Sequence, residues 1–328
     1  MHVLLTAPAL ALVSSVAVSG DYDIVDAHTH FHPTAADAAA FRVSLGRSLP
    51  LVGDLDDARA YMARYGVRKL VLLPLVAARR DYDARLTALG ADADDPLAQE
   101  RIRSEIADAW SGYNRWAAEL ARDEPERFTA AVAVDPLLLG EEWAREEIER
   151  GLASGARAIK VMPAWIGVPP WHGCMRPVWE LADRHGVPVV SMSGLTPYSD
   201  VAHPDNFEPV ATSHPRVRII LAHMGMGAED RTVAVTASCP NVFVDTSAWF
   251  NVWADPESWL NREPGASPRT PEQVADWFRA IGVERILFGT NNAIQYPALV
   301  HESIRATPLT DAERRRIFSG NYSRVFAD

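Results

Sequence analysis

The sequence predicts a single (β/α)8 barrel of the α/β class, and three observations carry that prediction. Eight short runs rich in β-branched residues alternate with longer amphipathic stretches, the pattern of parallel strands joined by covering helices. Several runs are apolar throughout, as strands buried on both faces must be. Polar residues capable of chemistry stand where the runs end, the positions that converge on one cavity in such a barrel.

The strands are expected at Asp23 to Ala27, Lys69 to Leu73, Phe128 to Val134, Ala156 to Val161, Val187 to Met192, Arg218 to Ala222, Val242 to Asp245 and Arg285 to Phe288. Between them, Asp54 is placed to cap a helix over Leu55 to Tyr65, and Asp311 to cap one over Ala312 to Phe318 that Gly320 ends. Pro96 to Asp123 is rich in helix formers and reads as a helical excursion between strands two and three. No internal repeat or Gly/Ser linker divides the chain. Barrels of this kind run to roughly 250 residues or more as one unit, so the 328 residues are read as one domain, with 1–20 as an N-terminal strand or hairpin extension.

Apolar residues make up 48% of the chain and charged residues 23%, which suits a globular protein with an ample core. The formal charge of -11, with basic residues dispersed, opposes a phosphate backbone and argues against nucleic acid as a partner. The 2 cysteines, Cys174 and Cys239, have no CxxC spacing, so neither a disulfide framework nor a thiolate metal cluster is indicated, and a reducing cytoplasm is expected. Val3 to Val18 is apolar, but no basic residue precedes it and Pro8 interrupts it, which disfavours a signal peptide. Elsewhere no apolar run reaches membrane-spanning length, so no membrane association is expected. Homo-oligomerisation is left open.

After strand one, His28 and His30 lie two apart on an extended chain and leave the same face, so the two imidazoles can share a metal ion or simply hydrogen-bond in a turn. His32 shares their parity but lies farther from the strand and is read as structural. Strand six runs into His223, a third imidazole at the rim. His28, His30 and His223 could form a three-nitrogen site for one divalent ion, zinc by preference, with an open position for water. Asp245 closes strand seven, either as an acid/base group or as a strand-end carboxylate bonding loop backbone. Trp165 and Trp171 after strand four, and Trp249, Phe250 and Trp253 after strand seven, are candidates for an aromatic mouth or for loop packing. Arg79 and Arg80 after strand two could clamp a substrate carboxylate or form a solvated charge cluster.

Asp26-Ala27-His28-Thr29-His30, Ala156-Arg157-Ala158-Ile159-Lys160, Ile220-Leu221-Ala222-His223-Met224-Gly225, Arg285-Ile286-Leu287-Phe288-Gly289 and Ile317-Phe318-Ser319-Gly320-Asn321 together resemble the amidohydrolase-related (amidohydrolase 2) family. That family includes aminocarboxymuconate semialdehyde decarboxylase. The resemblance spans roughly Ile24 to Phe326. It implies an amidohydrolase-like barrel, commonly one zinc-like ion, and either hydrolysis of amide or lactone bonds or nonoxidative decarboxylation of small organic acids. It also implies that His223 lies beside the metal as an acid/base group, and that Lys160 stands where binuclear relatives carry a carboxylated lysine.

Two positions depart from the family pattern. Met192 stands after strand five where the family usually has a ligand histidine, and Asn291 stands after strand eight where it usually has aspartate. A thioether is a poor ligand for zinc, and an amide brings neither negative charge nor a proton acceptor. Asn291 is nearly isosteric with aspartate, so it is counted with His223 and Asp245 as a catalytic position, while Met192 joins Arg79, Trp165 and Trp249 as a substrate-facing one. The leading expectation is an enzyme acting on a small aromatic or apolar molecule by metal-assisted hydrolysis or decarboxylation. Two alternatives stand beside it: a metal-independent barrel enzyme for lactone opening, isomerisation or cyclisation, and a noncatalytic small-molecule binding protein.

Overall fold

The computed structural model describes residues 22–44, 53–194, 200–254 and 270–326. The expected N-terminal hairpin over 1–20 lies outside the described residues. Eight parallel strands, β1 (Ile24–Thr29), β2 (Val67–Leu72), β3 (Phe128–Ala133), β4 (Ala158–Val161), β5 (Val189–Met192), β6 (Ile219–Ala222), β7 (Val242–Asp245) and β8 (Ile286–Leu287), follow one another in sequence order around the sheet. Closure comes from β8 onto β1: Ala27 N donates to Phe288 O at 2.7 Å and Asn291 N to His28 O at 2.9 Å. The architecture is a (β/α)8 barrel, as expected, and each strand lies within the predicted run or overlaps it to within about two residues.

Alternate residues of each strand divide the core in two. Ala27, Val71, Leu73, Ala131, Ala158, Val190, Ile220, Phe243 and Leu287 fill the barrel interior, and Val325 and Phe326 plug its far end. The intervening strand residues face a larger apolar layer shared with the helices. This two-sided burial is why the strand runs read as apolar throughout rather than alternating.

β1 departs from simple alternation. Its pairing with β2 shifts register between Asp26 and Thr29, where one strand advances by three residues and the other by two. The bulge reverses parity. Asp26 therefore meets the surrounding layer while Ala27, His28 and His30 belong to the interior.

The helix Leu55–Tyr65 has the expected Asp54 cap, strengthened by a capping box with Asp57, and ends at Gly66 in the left-handed region (φ 65°). The helix Pro96–Asp123 runs the full predicted length, with Asp95 as N-cap and Pro96 in its first turn. The C-terminal expectation needs correction. Thr310, not Asp311, caps the helix, through a box with Glu313, and Gly320 does not end it: a π-helical segment, Arg316–Gly320, carries the chain on into Asn321–Val325. No helix among the described residues is long and apolar enough to cross a membrane.

The long helix is tied to the barrel by Asn114. Its amide donates to Ala133 O (2.9 Å) and Glu147 Oε1 (2.8 Å) and accepts from Ala133 N (2.9 Å), all in buried surroundings. Removing it orphans a strand-end peptide group and weakens the satisfaction of a buried carboxylate. Asn114→Ala should destabilise the protein by about 3 kcal/mol in equilibrium denaturant unfolding; a loss below about 1 kcal/mol would show that this tie does not anchor the helix.

Candidate active site

The C-terminal strand ends bring His28, His30, His223, Asp245 and Asn291 together, all of them buried. His28 Nε2 and His30 Nε2 lie 3.0 Å apart, and Asn291 Oδ1 lies 3.0 Å from His30 Nε2. Behind the rings, His30 Nδ1 lies 2.8 Å from Leu73 O and His28 Nδ1 2.8 Å from Asp245 Oδ2. A carbonyl and a carboxylate only accept, so each ring carries its proton on Nδ1. Each Nε2 is left with a lone pair aimed at the same small volume.

Burial keeps both rings neutral. It is the main cause holding His28 and His30 well below the ordinary imidazole range, aided by the Lys160 charge on both. Two facing lone pairs with a third acceptor beside them call for a cation. Two nitrogens on one tetrahedral zinc, at bonds of about 2.0–2.1 Å, stand roughly 3.3 Å apart, so the observed spacing needs little adjustment. The Nδ1 partners are those that orient histidine ligands in metal sites.

A second group, His28, His223 and Asp245, has candidate ligand atoms within 4.8 Å of one another. Its centre is already filled. Ser247 Oγ lies 2.8 Å from His223 Nδ1 and 3.1 Å from His28 Nδ1, and it donates to Asp245 Oδ1. Asp245 Oδ1 also accepts from the backbone N–H groups of His223 (3.1 Å) and Ser247 (3.0 Å). This side is a satisfied hydrogen-bond cluster, and the cation-ready side is the one formed by His28, His30 and Asn291.

His223 thus stands apart from the expected three-histidine set. Its ring centroid is 5.1 Å from that of His28, and its Nδ1 is engaged by Ser247. Burial lowers it to about 3, so it is neutral. Lys160 is an inward residue of β4, 2% exposed. Burial lowers it to about 8 against the favourable charge of Asp245, which leaves it protonated at neutral pH.

Backbone strain marks the same ring of loops. Positive φ occurs among non-glycine described residues at His223 (66°), Met224 (53°), Ala248 (59°) and Asn291 (61°), all of them at the ends of β6, β7 and β8. Gly289 is required for space: a Cβ there would come 2.9 Å from His28 Cβ. Asp26, one bulge away, accepts from His28 N (3.1 Å), Thr290 N (3.1 Å), Tyr61 Oη (2.8 Å) and Thr290 Oγ1 (2.5 Å), which fastens β1 to the loop bearing Asn291.

The substrate-facing candidates divide. Met192 and Trp165 are half-buried and pack with Phe41, Leu75, Ala77, Met162 and Ile294 in an apolar collar contributed by the loops after β1, β2, β4 and β8 and by β5. Trp249 does not join it: only 1% exposed, it donates its indole N–H to Glu229 Oε1 at 3.0 Å and packs against Phe250, Trp253 and Trp277 in the outer wall. Trp171 is exposed near Asn206. Arg79 is half-buried, and its charge acts on Asp135 at the end of β3. Sequence reasoning passed over Ser247; the run Asp245-Thr246-Ser247 at a strand end was the available signal. The β1 bulge has no such signal.

The chain belongs to the amidohydrolase family: the profile of that family, described as Amidohydrolase, matches residues 25–327. No curated protein matches the sequence. Among solved structures, it is similar to 2,6-dihydroxybenzoate decarboxylase from Rhizobium (18% identity, 93% of this chain and 98% of that one, TM-score 0.61). It is also similar to 5-carboxyvanillate decarboxylase from Sphingomonas paucimobilis (13%, 93% and 99%, TM-score 0.64). A third is a dihydroxybenzoic acid decarboxylase from Polaromonas sp. JS666 with bound manganese and 2-nitroresorcinol (16%, 93% and 97%, TM-score 0.64). At these identities the likeness establishes the barrel.

Buried neutral histidines make stability depend on pH with a definite sign. Burial lowers His32 to about 4 and His223 and His301 to about 3, from an ordinary 6.5. The unfolded chain therefore takes up protons first, and their contribution to stability is lost as pH falls from 6.5 towards 4. Asp26, raised to about 7 from 3.8 by burial, acts in the opposite sense over that interval but is one group against three. The denaturant midpoint should drop between pH 7 and pH 5, and His301→Phe should flatten the slope; a midpoint that rises on acidification contradicts the assignment.

Proposed function

We propose that the protein is a metal-dependent carboxy-lyase acting on a small aromatic carboxylate. The observation that carries this reading is the convergence of the His28 and His30 Nε2 lone pairs and Asn291 Oδ1, with both ring protons held behind. His28, His30 and Asn291 would hold one divalent ion, zinc or manganese, which when bound supplies Lewis acidity for an anionic substrate. Family membership supports carboxy-lyase or hydrolase chemistry, and the decarboxylase neighbours support the choice of an aromatic acid.

The collar of Phe41, Leu75, Met162, Trp165 and Met192 buries an apolar ring and excludes water from it. Loss of carbon dioxide leaves an electron pair on the ring carbon, which must take a proton. Asn291 has no acidic proton to give, and neutral His223 accepts. Lys160 keeps a proton at neutral pH, and its charge bears on His28, His30 and His223. We assign it the delivery of that proton, and His223 the orientation of the substrate through its Nε2.

The three donors are neutral, so the ion keeps its full charge and is bound less tightly than with a carboxylate. Protein stripped by chelator and reloaded with manganese should release carbon dioxide from hydroxybenzoates. Lys160→Met should abolish release while retaining metal, and Asn291→Asp should tighten metal binding by about tenfold or more. Turnover that survives exhaustive chelation would instead establish metal-independent barrel chemistry, which the neutral Asn291 favours.

A further inference from the structure

We infer that Asn291 serves the site through both ends of its amide: the Nδ2 hydrogens stand in for the cation when none is bound, and Oδ1 ligates when one is. Leu73 O, 2.8 Å from His30 Nδ1, can only accept, so the ring proton lies there and His30 Nε2 is an acceptor. In the structure it is Asn291 Oδ1 that lies 3.0 Å from that Nε2, and amide orientation is set by the partners that surround it. With oxygen facing nitrogen, two acceptors stand at hydrogen-bond distance with nothing between them. With Nδ2 facing, the same contact is an N–H···N hydrogen bond. Amide oxygen and nitrogen occupy nearly the same space, so a half-turn about Cβ–Cγ exchanges the two without moving the backbone.

A carboxylate in this place could not do this. Lacking a hydrogen, it would add a charged acceptor to two imidazole lone pairs and leave the empty cluster in need of a proton or an ion. The amide satisfies His30 in the metal-free protein and still offers an oxygen donor to a hard or borderline cation. The backbone is already fixed for this role, because Asn291 sits at φ 61°, in the left-handed region that asparagine tolerates, with its N–H donating to His28 O at 2.9 Å. Binding an ion then requires breaking one hydrogen bond and turning one side chain.

The loaded half of this inference rests on the proposed metal site; the metal-free half does not. Neutron diffraction from deuterated crystals distinguishes the two amide ends by nuclear scattering and locates the ring deuterons. In chelator-treated crystals we expect an ND2 group facing an undeuterated His30 Nε2, with a deuteron on Nδ1. An oxygen facing a deuterated Nε2 would overturn the inference. In crystals soaked with zinc we expect the amide turned, with Oδ1 on the ion. Zinc bound with ND2 still facing His30 would overturn the ligand role, and no zinc at saturating concentration would overturn the metal reading beneath it. A trans-hydrogen-bond 15N–15N coupling between Asn291 Nδ2 and His30 Nε2 in the metal-free protein, lost on adding zinc, gives the same result in solution; its absence from the metal-free protein counts against the inference.

Discussion

Two imidazole nitrogens held 3.0 Å apart, each with its lone pair facing the other, constitute the constraint on which the rest of the site depends. Such a pair is unfavourable alone, so the protein must fix what lies behind it. Leu73 O and Asp245 Oδ2 hold the ring protons on the far nitrogens. Asp245 is held in turn by Ser247 and the His223 backbone, and Gly289 leaves the room that His28 needs. Most of these groups are deeply buried, where a polar atom without a partner is costly. The histidine pair is thus an arrangement that the fold maintains at some expense, with strained backbone at His223, Ala248 and Asn291 as part of that expense.

Burial serves chemistry and stability in different ways. It drives the three site histidines neutral and so makes their Nε2 atoms available as donors, while leaving Lys160 charged at neutral pH. In the proposed reaction one barrel end thereby supplies both the lone pairs for a cation and, on Lys160, the proton for a substrate. The apolar collar is built largely by loops at the same ends of the strands, and it is this surface that the proposed function assigns to the substrate ring.

Much of this was legible in the sequence because barrel strands advertise themselves twice, by continuous apolar runs and by polar residues at their ends. β7 could be read to the residue, and Leu55 to Tyr65 and Pro96 to Asp123 follow from capping residues and helix formers. At the candidate site, His28, His30 and His223 stood out as strand-end imidazoles and the structure brings them together, whereas Met192 and Asn291 stood out only through the family resemblance. What escaped depends on geometry that no local pattern encodes. The β1 bulge turns Asp26 outward, into the contacts with Tyr61 and Thr290 that brace the strand. Ser247 is a common residue whose importance comes only from lying between two histidines from different strands. Trp249 looked like part of the mouth because it follows a strand, yet its helix packs it outward against Glu229.

The proposed chemistry stands on a divalent ion held at the Nε2 side of His28 and His30 with Asn291. Anomalous diffraction at the manganese edge, from crystals soaked in manganese after chelation, tests it most directly. A single peak within bonding distance of both Nε2 atoms and of Oδ1 is expected. A peak among His28 Nδ1, His223 and Asp245, or no peak at all, would contradict it.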